Sequence, residues 1–257
     1  MTRKLPFEAI ENFRDFGDYG AGERRIRKGV LYRAAHQAEA TDADLEALAA
    51  LDLSLIVDLR RPNERTRSPS RRWNGFAAEL IENGEGDEHD DPWHRFIASS
   101  DLSAKAFTDY MVAYYREAPF VSRHVDLYSR YFQRLGHTPG ATLIHCAAGK
   151  DRTGILAALT HHIAGVHEDD IFADFLLTND PVRFERRVPM MRQAILEMTG
   201  REATDEALVT ALGVELHYLE TAFAAIHAAH PSLDHYLETV LGVDSKTRDA
   251  IEARILA

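Results

Sequence analysis

GATLIHCAAGKDRTGILAALTHHIAG, residues 140–165, predicts a strand, a tight loop and a helix in immediate succession. The apolar run TLIH follows a Pro-Gly turn, and a short run of this kind is typical of a buried strand. The helix is predicted to begin near Arg152 and to end at Gly165. The small residues AAG between the two elements allow the backbone to turn tightly. The only cysteine of the chain, Cys146, therefore lies where the strand ends.

The loop that follows this strand has the chemistry of an anion-binding site. Its amides, with those of the first helical turn, lack partners within the helix and point at a common centre. The helix dipole adds partial positive charge there, and Arg152 can offer a planar fork to two phosphate oxygens. The same surroundings stabilise a thiolate at Cys146, to which the Thr153 hydroxyl can donate a hydrogen bond. The predicted phosphate-binding residues are Ala147, Ala148, Gly149, Lys150, Asp151, Arg152 and Thr153, and Asp58 and His145 are candidate supports.

Working outward, the residues before this unit predict a helix and then a second buried strand. Thr41 caps a helix in ATDADLEALAAL (40–51), where Asp44 is the acidic third residue. LSLIVDLR (53–60) is a continuous apolar run that ends in charge, as buried strands do. Further short strands are predicted in ENFRDFGDYG (11–20), VLYRAA (30–35) and FAAELIE (76–82).

Two charged stretches are predicted as loops. RRPNERTRSPSRR (60–72) combines six arginines with prolines and serines, and it indicates either a solvated face or a region that attracts an anionic substrate. ENGEGDEHDDPW (82–93) combines six acidic residues with two glycines, which is typical of a solvated loop.

From Ser103 onward, apart from the strand before Cys146, the chain is predicted to be almost entirely helical. The expected fold class is therefore α/β, with a small central sheet flanked by helices and a helical C-terminal third. The absence of repeats or a long linker predicts one domain over residues 1–257. Residues 170–200 carry an apolar stripe in which Pro181 and Pro189 are expected to interrupt the helix. This region is a candidate lid, and ordinary core packing is the alternative.

Composition narrows the classes of function. A net charge of −11 argues against wholesale attraction to nucleic acid or to an anionic membrane. One cysteine excludes an internal disulfide framework and any cysteine-cluster metal site. The thirteen histidines show no metal-binding spacing, so neither metal nor cofactor is predicted. The N-terminus lacks a signal-peptide pattern and no run is long enough to cross a membrane, so a cytoplasmic protein is expected.

The ten residues HCAAGKDRTG (145–154) resemble the signature loop of the protein-tyrosine-phosphatase superfamily. The version that looks most similar, HCxAGKDRTG, belongs to bacterial tyrosine/serine phosphatases, some of which also act on phosphoinositides. The segments NFRDFG, LYRAA, IVDLRRPNER and DFLLTN also look like recurring segments of that family, in the same order. The resemblance covers roughly Asn12 to Asn179.

The resemblance implies a metal-independent phosphatase that acts on phosphorylated proteins through a phosphocysteine intermediate. Cys146 would be the nucleophile and Arg152 the phosphate ligand. Many relatives have glycine before the signature arginine and take their general acid from a W-P-D loop, which this chain lacks. In similar phosphatases an acid within the loop protonates the leaving oxygen, which makes Asp151 the expected acid. A merely favourable charge at a helix N-terminus is the alternative role for Asp151, and Asp91 and Asp109 are reserve candidates for the acid.

Several alternatives stay open at this point. Lys150 and the arginine-rich stretch favour a phosphoinositide phosphatase, although Lys150 is also compatible with a solvated loop lysine. A catalytically silent phosphate-binding module needs no thiolate, which the intact cysteine argues against. Asp58 is a loop support, a substrate ligand or one half of an ordinary ion pair at a strand end. The same alternatives apply to Arg14, Asp15 and Arg33. The sequence predicts no oligomeric state.

Overall fold

Parallel strands form most of the central sheet in the computed structural model, which describes residues 5–85 and 91–257. The sheet order is β1-β4-β7-β5-β6; β1 pairs antiparallel with β4, and the other neighbours are parallel. The strands are β1 Arg14–Asp15, β4 Leu31–Ala34, β5 Leu53–Asp58, β6 Glu79–Ile81 and β7 Ala141–His145, and a separate hairpin joins β2 Gly20–Ala21 to β3 Arg24–Arg25. Because β7 lies between β4 and β5, the loop after it emerges at the centre of the edge where the parallel strands end.

Helices cover both faces of this sheet and are the predominant secondary structure beyond β7. They are α1 Asp42–Ala49, α2 Pro62–Arg67, α3 Pro92–Ser99, α4 Ala104–Glu117, α5 Ser122–Leu135, α6 Asp151–Ala164, α7 Glu168–Leu176, α8 Pro181–Thr199, α9 Asp205–Leu212, α10 Leu216–Ala229, α11 Leu233–Thr239 and α12 Ser245–Ile255. This mixed architecture with a helical C-terminal part confirms the predicted fold class.

Successive residues of each central strand supply different cores, as the alternation of side chains along a strand requires. On β5, Leu55 and Val57 enter the larger core beneath α4, α5, α6 and α10, whereas Ile56 enters a smaller core beneath α1 and the N-terminal segment. A third cluster joins α3, α4, α8 and α9 around Phe107 and Leu208. The first two cores fix the sheet from both sides and so fix the edge at which the loop emerges.

The predicted helix before β5 is confirmed, including its cap. Thr41 accepts the Asp44 amide, and the Asp44 carboxylate accepts the Thr41 amide in return, which completes a capping box. Leu48 is buried in the smaller core, with Leu45 and Leu51 packed against it.

The prediction that residues 60–72 form a loop throughout is wrong, because α2 occupies Pro62–Arg67. Pro62 lies in the first turn, where no amide hydrogen is needed, and the Glu64 carboxylate accepts the Arg61 amide at 2.7 Å. The loop predicted over 82–93 also ends earlier than expected, since Asp91 caps α3 by accepting the His94 amide. Residues 86–90 of that stretch lie outside the described part of the chain.

The expected interruption at Pro189 is also wrong. Helix α8 runs unbroken from Pro181 to Thr199, with Pro181 in its first turn, where proline is favourable. Pro189 removes one hydrogen bond to the carbonyl of Glu185, but both residues lie on the exposed face of the helix, where water can replace that bond.

Candidate active site

The loop that follows β7 holds Cys146 at the centre of the sheet edge. The sulfur-bearing residue is 2% exposed and directly follows the last residue of the strand. Gly149 has a φ of +64°, and a Cβ there would lie 2.4 Å from the carbonyl carbon of Ala34. Only glycine combines that backbone conformation with so close an approach to β4. The small residues of the loop predicted a tight turn, and this turn requires glycine at position 149.

The loop carbonyls are held away from the loop centre by groups behind it. The His36 amide donates to the carbonyl of Ala147 at 3.2 Å. The side-chain amide of Asn12 donates to the carbonyl of Gly149 at 2.8 Å, and Nη2 of Arg33 donates to the same oxygen at 3.1 Å. Within the described residues, the amides of 147–150 donate no hydrogen bond. Because a peptide plane that turns its oxygen outward turns its N–H inward, these amides are left for an anion.

A buried ion cluster supports the groups that hold the carbonyls. Asp174 of α7 pairs with Arg14 of β1 at 3.2 Å and with Arg33 of β4 at 2.7 Å, and all three side chains are almost fully buried. Burial alone would raise the pKa of the Asp174 carboxyl, but the two guanidinium groups lower it overall. One carboxylate against two guanidinium groups leaves a net positive charge behind the loop, which favours a bound anion.

This cluster joins distant segments that resemble recurring segments of the bacterial family. Asn12 and Arg14 come from NFRDFG, Arg33 from LYRAA and Asp174 from DFLLTN, and the fold brings all of them to the back of the loop. Arg14 and Arg33 are candidates from the sequence with alternatives open, whereas Asn12 and Asp174 were not predicted to belong to the site. The recurrence of those segments in the bacterial family was the signal that could have identified them.

Arg152 lies at the start of α6 with its guanidinium held in one orientation. Nη1 and Nη2 donate to the Glu64 carboxylate of α2 at 2.5 and 2.7 Å, and Nη1 also donates to the carbonyl of Leu59 at 3.1 Å. Among the described contacts, Nε and one hydrogen of Nη2 have no partner, and together they form a side-on fork. Burial opposes the ionisation of Glu64, but the charge and hydrogen bonds of Arg152 lower its pKa to about 2. Glu64 was not predicted to belong to the site, because the sequence indicates a loop where α2 forms.

Asp151 is the first residue of α6, and its carboxylate receives a specific hydrogen bond. The Tyr115 hydroxyl of α4 donates to Oδ1 at 2.9 Å, and Nζ of Lys150 lies 3.6 Å from the same oxygen. The Asp151 side chain keeps 21% of its surface exposed. A carboxylate that is fixed on one oxygen, partly open to solvent and in the same loop as the cysteine can exchange a proton with a bound molecule.

Lys150 is not the solvated loop lysine considered as an alternative, since it is only 5% exposed. Its Nζ donates to the carbonyl of Ala211 in the last turn of α9 at 2.8 Å. Burial, against the favourable charge of Asp151, lowers the pKa of Lys150. The Lys150 side chain therefore links the loop to α9, while its backbone amide is one of the amides of 147–150 that are left for an anion.

Thr153 is fully buried in the first turn of α6 behind Cys146. Its hydroxyl oxygen has no hydrogen-bond partner in the part of the chain that the structure describes. The expected hydrogen bond to the sulfur is thus not formed here, although the hydroxyl has no competing partner.

The two candidate supports, Asp58 and His145, lie close to each other at the sheet edge, and Asp58 also pairs with an arginine. Asp58 pairs with Arg60 through two short contacts of 2.7 and 2.9 Å, the strand-end ion pair that had been left open. His145 is fully buried with Nε2 3.7 Å from Asp58, and burial lowers the pKa of its imidazole to about 4. Both residues are buried at the ends of neighbouring strands, and their role as supports of the loop stays a prediction.

The reserve candidates for the general acid are placed elsewhere. Asp109 forms an exposed ion pair with Lys105 on the outer face of α4. Asp91 caps α3 and pairs with Arg67 at 3.0 Å. The structure brings neither to Cys146 by any described contact, and only Asp151 lies within the loop.

No group of three or more histidine, cysteine, aspartate or glutamate side chains is arranged for a metal ion within residues 5–85 and 91–257. Over the same ranges, no helix is both long and apolar enough to span a bilayer.

Comparisons with known proteins agree with this geometry. A family model described as the tyrosine phosphatase family matches residues 5–257. A Cupriavidus necator protein named as a tyrosine-protein phosphatase is 35% identical over 244 residues, covering 93% of this chain and 85% of its own. The triple specificity protein phosphatase PtpB of Mycobacterium tuberculosis is 29% identical over 286 residues and 99% of both chains. A tyrosine-protein phosphatase of Nostoc commune is 32% identical over 60% of this chain and 49% of its own.

Proposed function

The chain belongs to the tyrosine phosphatase family and is a phosphatase, and from that premise we propose that Cys146, Arg152 and Asp151 carry out its reaction on phosphorylated proteins. We propose further that residues 1–257 act as one catalytic domain. Phosphotyrosine is the proposed substrate because the family and a relative bear the name tyrosine phosphatase. Phosphoserine and phosphothreonine are further proposed substrates, because another relative is named a triple specificity protein phosphatase.

In the proposed reaction the thiolate sulfur of Cys146 attacks phosphorus in line with the ester oxygen. The phosphorus–oxygen bond breaks, a phosphorus–sulfur bond forms, and Asp151 gives its proton to the departing oxygen. Water then attacks phosphorus, its proton returns to Asp151, and phosphate leaves with the thiolate restored. The chemistry balances without a metal or an organic cofactor.

One observation carries the proposal: the loop amides of 147–150 and the side-on fork of Arg152 are both left without partners around one cysteine. Charge in phosphoryl transfer spreads over three equatorial oxygens, and preorganised donors aimed at them lower the barrier. A simple binding module requires the donors but not a buried cysteine at their centre. The arrangement therefore favours catalysis over binding alone.

The role of Asp151 is tested by Asp151→Asn on substrates whose leaving oxygens differ in their need for a proton. An alkoxide leaves poorly, a phenolate less poorly, and a nitrophenolate almost unaided. We expect a loss of ~10²–10⁴-fold on a phosphoserine peptide, less on a phosphotyrosine peptide and least on nitrophenyl phosphate. The measurement is the burst rate of alcohol or phenol release, with a metal chelator present.

Wild-type protein supplies the reference in the same assay, and turnover in the presence of chelator is itself an expected result. The basic limb of the pH–rate profile should flatten in Asp151→Asn on the poor leaving groups. Equal losses on all three substrates with an unchanged profile would show that Asp151 only shapes the loop. Wild-type protein that turned over no phosphopeptide would contradict the substrate class.

A phosphoinositide phosphatase is the second candidate, and it depends on free cations beside the loop. Lys150 is engaged with α9, and most of the arginine-rich stretch is engaged in contacts within the chain. Hydrogen bonds to carboxylate, carbonyl or amide oxygens are made by Arg60, Arg65, Arg67, Arg71 and Arg72. We therefore prefer phosphoprotein substrates, and vesicles that contain phosphoinositides belong in the assay as the contrasting substrate.

We also propose that the candidate lid, residues 170–200, covers the site through α8, since Asp174 of α7 is buried behind the loop. Of the nineteen residues of α8, only Arg183 and Ile195 are buried. Arg183 donates to the carbonyl of Leu212 at 2.9 Å, next to the carbonyl that Lys150 holds, so α8, α9 and the loop meet at one point. A helix with so little buried surface is held less firmly than the core helices.

Hydrogen exchange measures this lid directly. Vanadate should slow exchange across 170–199, because a ligand that favours the closed state reduces opening. Helix α5, with seven buried residues, is the internal control and should not change. Identical exchange across 170–199 with and without vanadate would leave core packing as the better description.

A further inference from the structure

The two oxygens of the Asp151 carboxylate are not equivalent. Oδ1 accepts the Tyr115 hydroxyl at 2.9 Å and has the Lys150 ammonium at 3.6 Å. Oδ2 accepts no hydrogen bond from any described residue. An oxygen that already accepts a strong donor is the poorer place for a proton, so the acidic proton is favoured on Oδ2.

Tyr115 is built to donate this hydrogen bond under all assay conditions. Its ring is fully buried and is stacked on Tyr218 at 5.5 Å, with Phe175 edge-on at 6.0 Å. Burial first, and then the charge of Asp151, raises the pKa of the Tyr115 phenol well above its usual value. The hydroxyl therefore stays protonated and its position is set by packing rather than by the substrate.

We propose that Tyr115 is a positioning residue for proton transfer, which holds Oδ1 so that Oδ2 carries the proton toward the leaving oxygen. The inference rests on the proposed role of Asp151 as general acid. Tyr115 therefore sets the direction of the transfer.

Other ionisable groups face Asp151, and Tyr115→Phe changes none of them. They are Lys150 beside it, Tyr110 and Tyr114 of α4, Arg183 of α8 and Tyr218 of α10, with Cys146 and Arg152 in the loop itself. Removal of the single hydroxyl oxygen of Tyr115 leaves all of them in place. A change in pH dependence can then be assigned to that oxygen.

Tyr115→Phe should move the basic limb of the burst-rate profile to higher pH, because the charged form of the carboxylate loses a hydrogen bond. On a phosphoserine peptide the plateau rate should fall roughly tenfold, since the carboxyl is no longer oriented. On nitrophenyl phosphate, which needs little protonation, the rate should change less than about twofold.

Tyr114→Phe is the matched control. The neighbouring hydroxyl is also buried, but it has no hydrogen-bond partner in the described structure. Its removal should leave the basic limb unmoved. An equal shift in both variants would overturn the inference, because it would report a general change in the site.

Two further variants separate the possible failures. If the pH–rate profile of Asp151→Asn keeps its basic limb, Asp151 is not the general acid, and the inference about Tyr115 is overturned as well. Should Asp151→Asn flatten the limb while Tyr115→Phe leaves it unmoved, only the role of Tyr115 is overturned. A fluorinated tyrosine at position 115 keeps the ring and strengthens the donor, so it should move the limb to lower pH even where phenylalanine destabilises the fold. A shift to higher pH, or none, would contradict the proposal.

Discussion

Cys146→Ser is expected to abolish turnover while vanadate and phosphate still bind. Serine differs from cysteine by one atom, so the amides of 147–150 and the fork of Arg152 keep their positions. The hydroxyl is not ionised near neutrality and cannot replace the thiolate as nucleophile. Loss of the nucleophile in a well-characterised hydrolase costs on the order of 10⁶ in kcat, and we expect a loss of that order here.

Rapid quenching of wild-type protein should trap phosphorus on Cys146, and the serine variant should trap none. Isothermal titration with vanadate or phosphate measures binding in both proteins, and Cys146→Ala is the control that removes the side-chain oxygen as well. Substantial residual hydrolysis by either variant would rule out the phosphocysteine mechanism. Loss of anion binding by both, with the fold intact, would show that the cradle depends on the sulfur.

Arg152→Lys is expected to be nearly as damaging as Arg152→Ala, with a loss of ~10³–10⁵ in kcat. Two nitrogens of Arg152 are held by Glu64 while Nε and Nη2 form the free fork, and a lysine ammonium cannot satisfy both sides at once. Because the pKa of Glu64 is lowered to about 2, its carboxylate is charged throughout any enzymatic assay. The ion pair between Glu64 and Arg152 therefore stabilises the fold at any pH above the usual pKa of glutamate. This stabilisation is lost only as the pH falls toward 2.

Arg123→Lys is the matched control for this experiment. Arg123 also donates to the Leu59 carbonyl, at 2.7 Å, but it contributes no donor to the loop. We expect Arg123→Lys to lower kcat by less than about tenfold. A loss of that size would result if the Leu59 carbonyl, which also accepts from Arg152, were displaced. Retention of most wild-type activity in Arg152→Lys would mean that charge alone suffices and that the fork has no special role.

The sequence by itself determined the elements whose signals lie close together in the chain. The strand, loop and helix around Cys146 follow from an apolar run, three small residues and a helix start within fifteen positions. The helix before β5 follows from its own capping box. These signals are local because caps, turns and periodicity depend on neighbouring residues, so no knowledge of the fold is needed to interpret them.

Helix α2 shows where local signals failed. Proline, serine and six arginines predicted a loop, yet the short helix forms with Glu64 positioned to hold Arg152, 88 residues away. Lys150 and Ala211 are also far apart in the chain, by 61 residues. From the sequence alone, a solvated lysine cannot be distinguished from one that donates to the last turn of a distant helix.

Only the tertiary structure decided which side chains meet. Asn12 reaches the carbonyl of Gly149 across 137 residues, and Arg14 reaches Asp174 across 160. Tyr115 reaches Asp151 across 36. Local propensity places each residue on its own strand or helix, but a hydrogen bond between elements depends on how the sheet and helices pack, to within a few tenths of an ångström. The chemistry of the loop was therefore predicted from the sequence, and its support and the choice of the proton-bearing oxygen came from the packing.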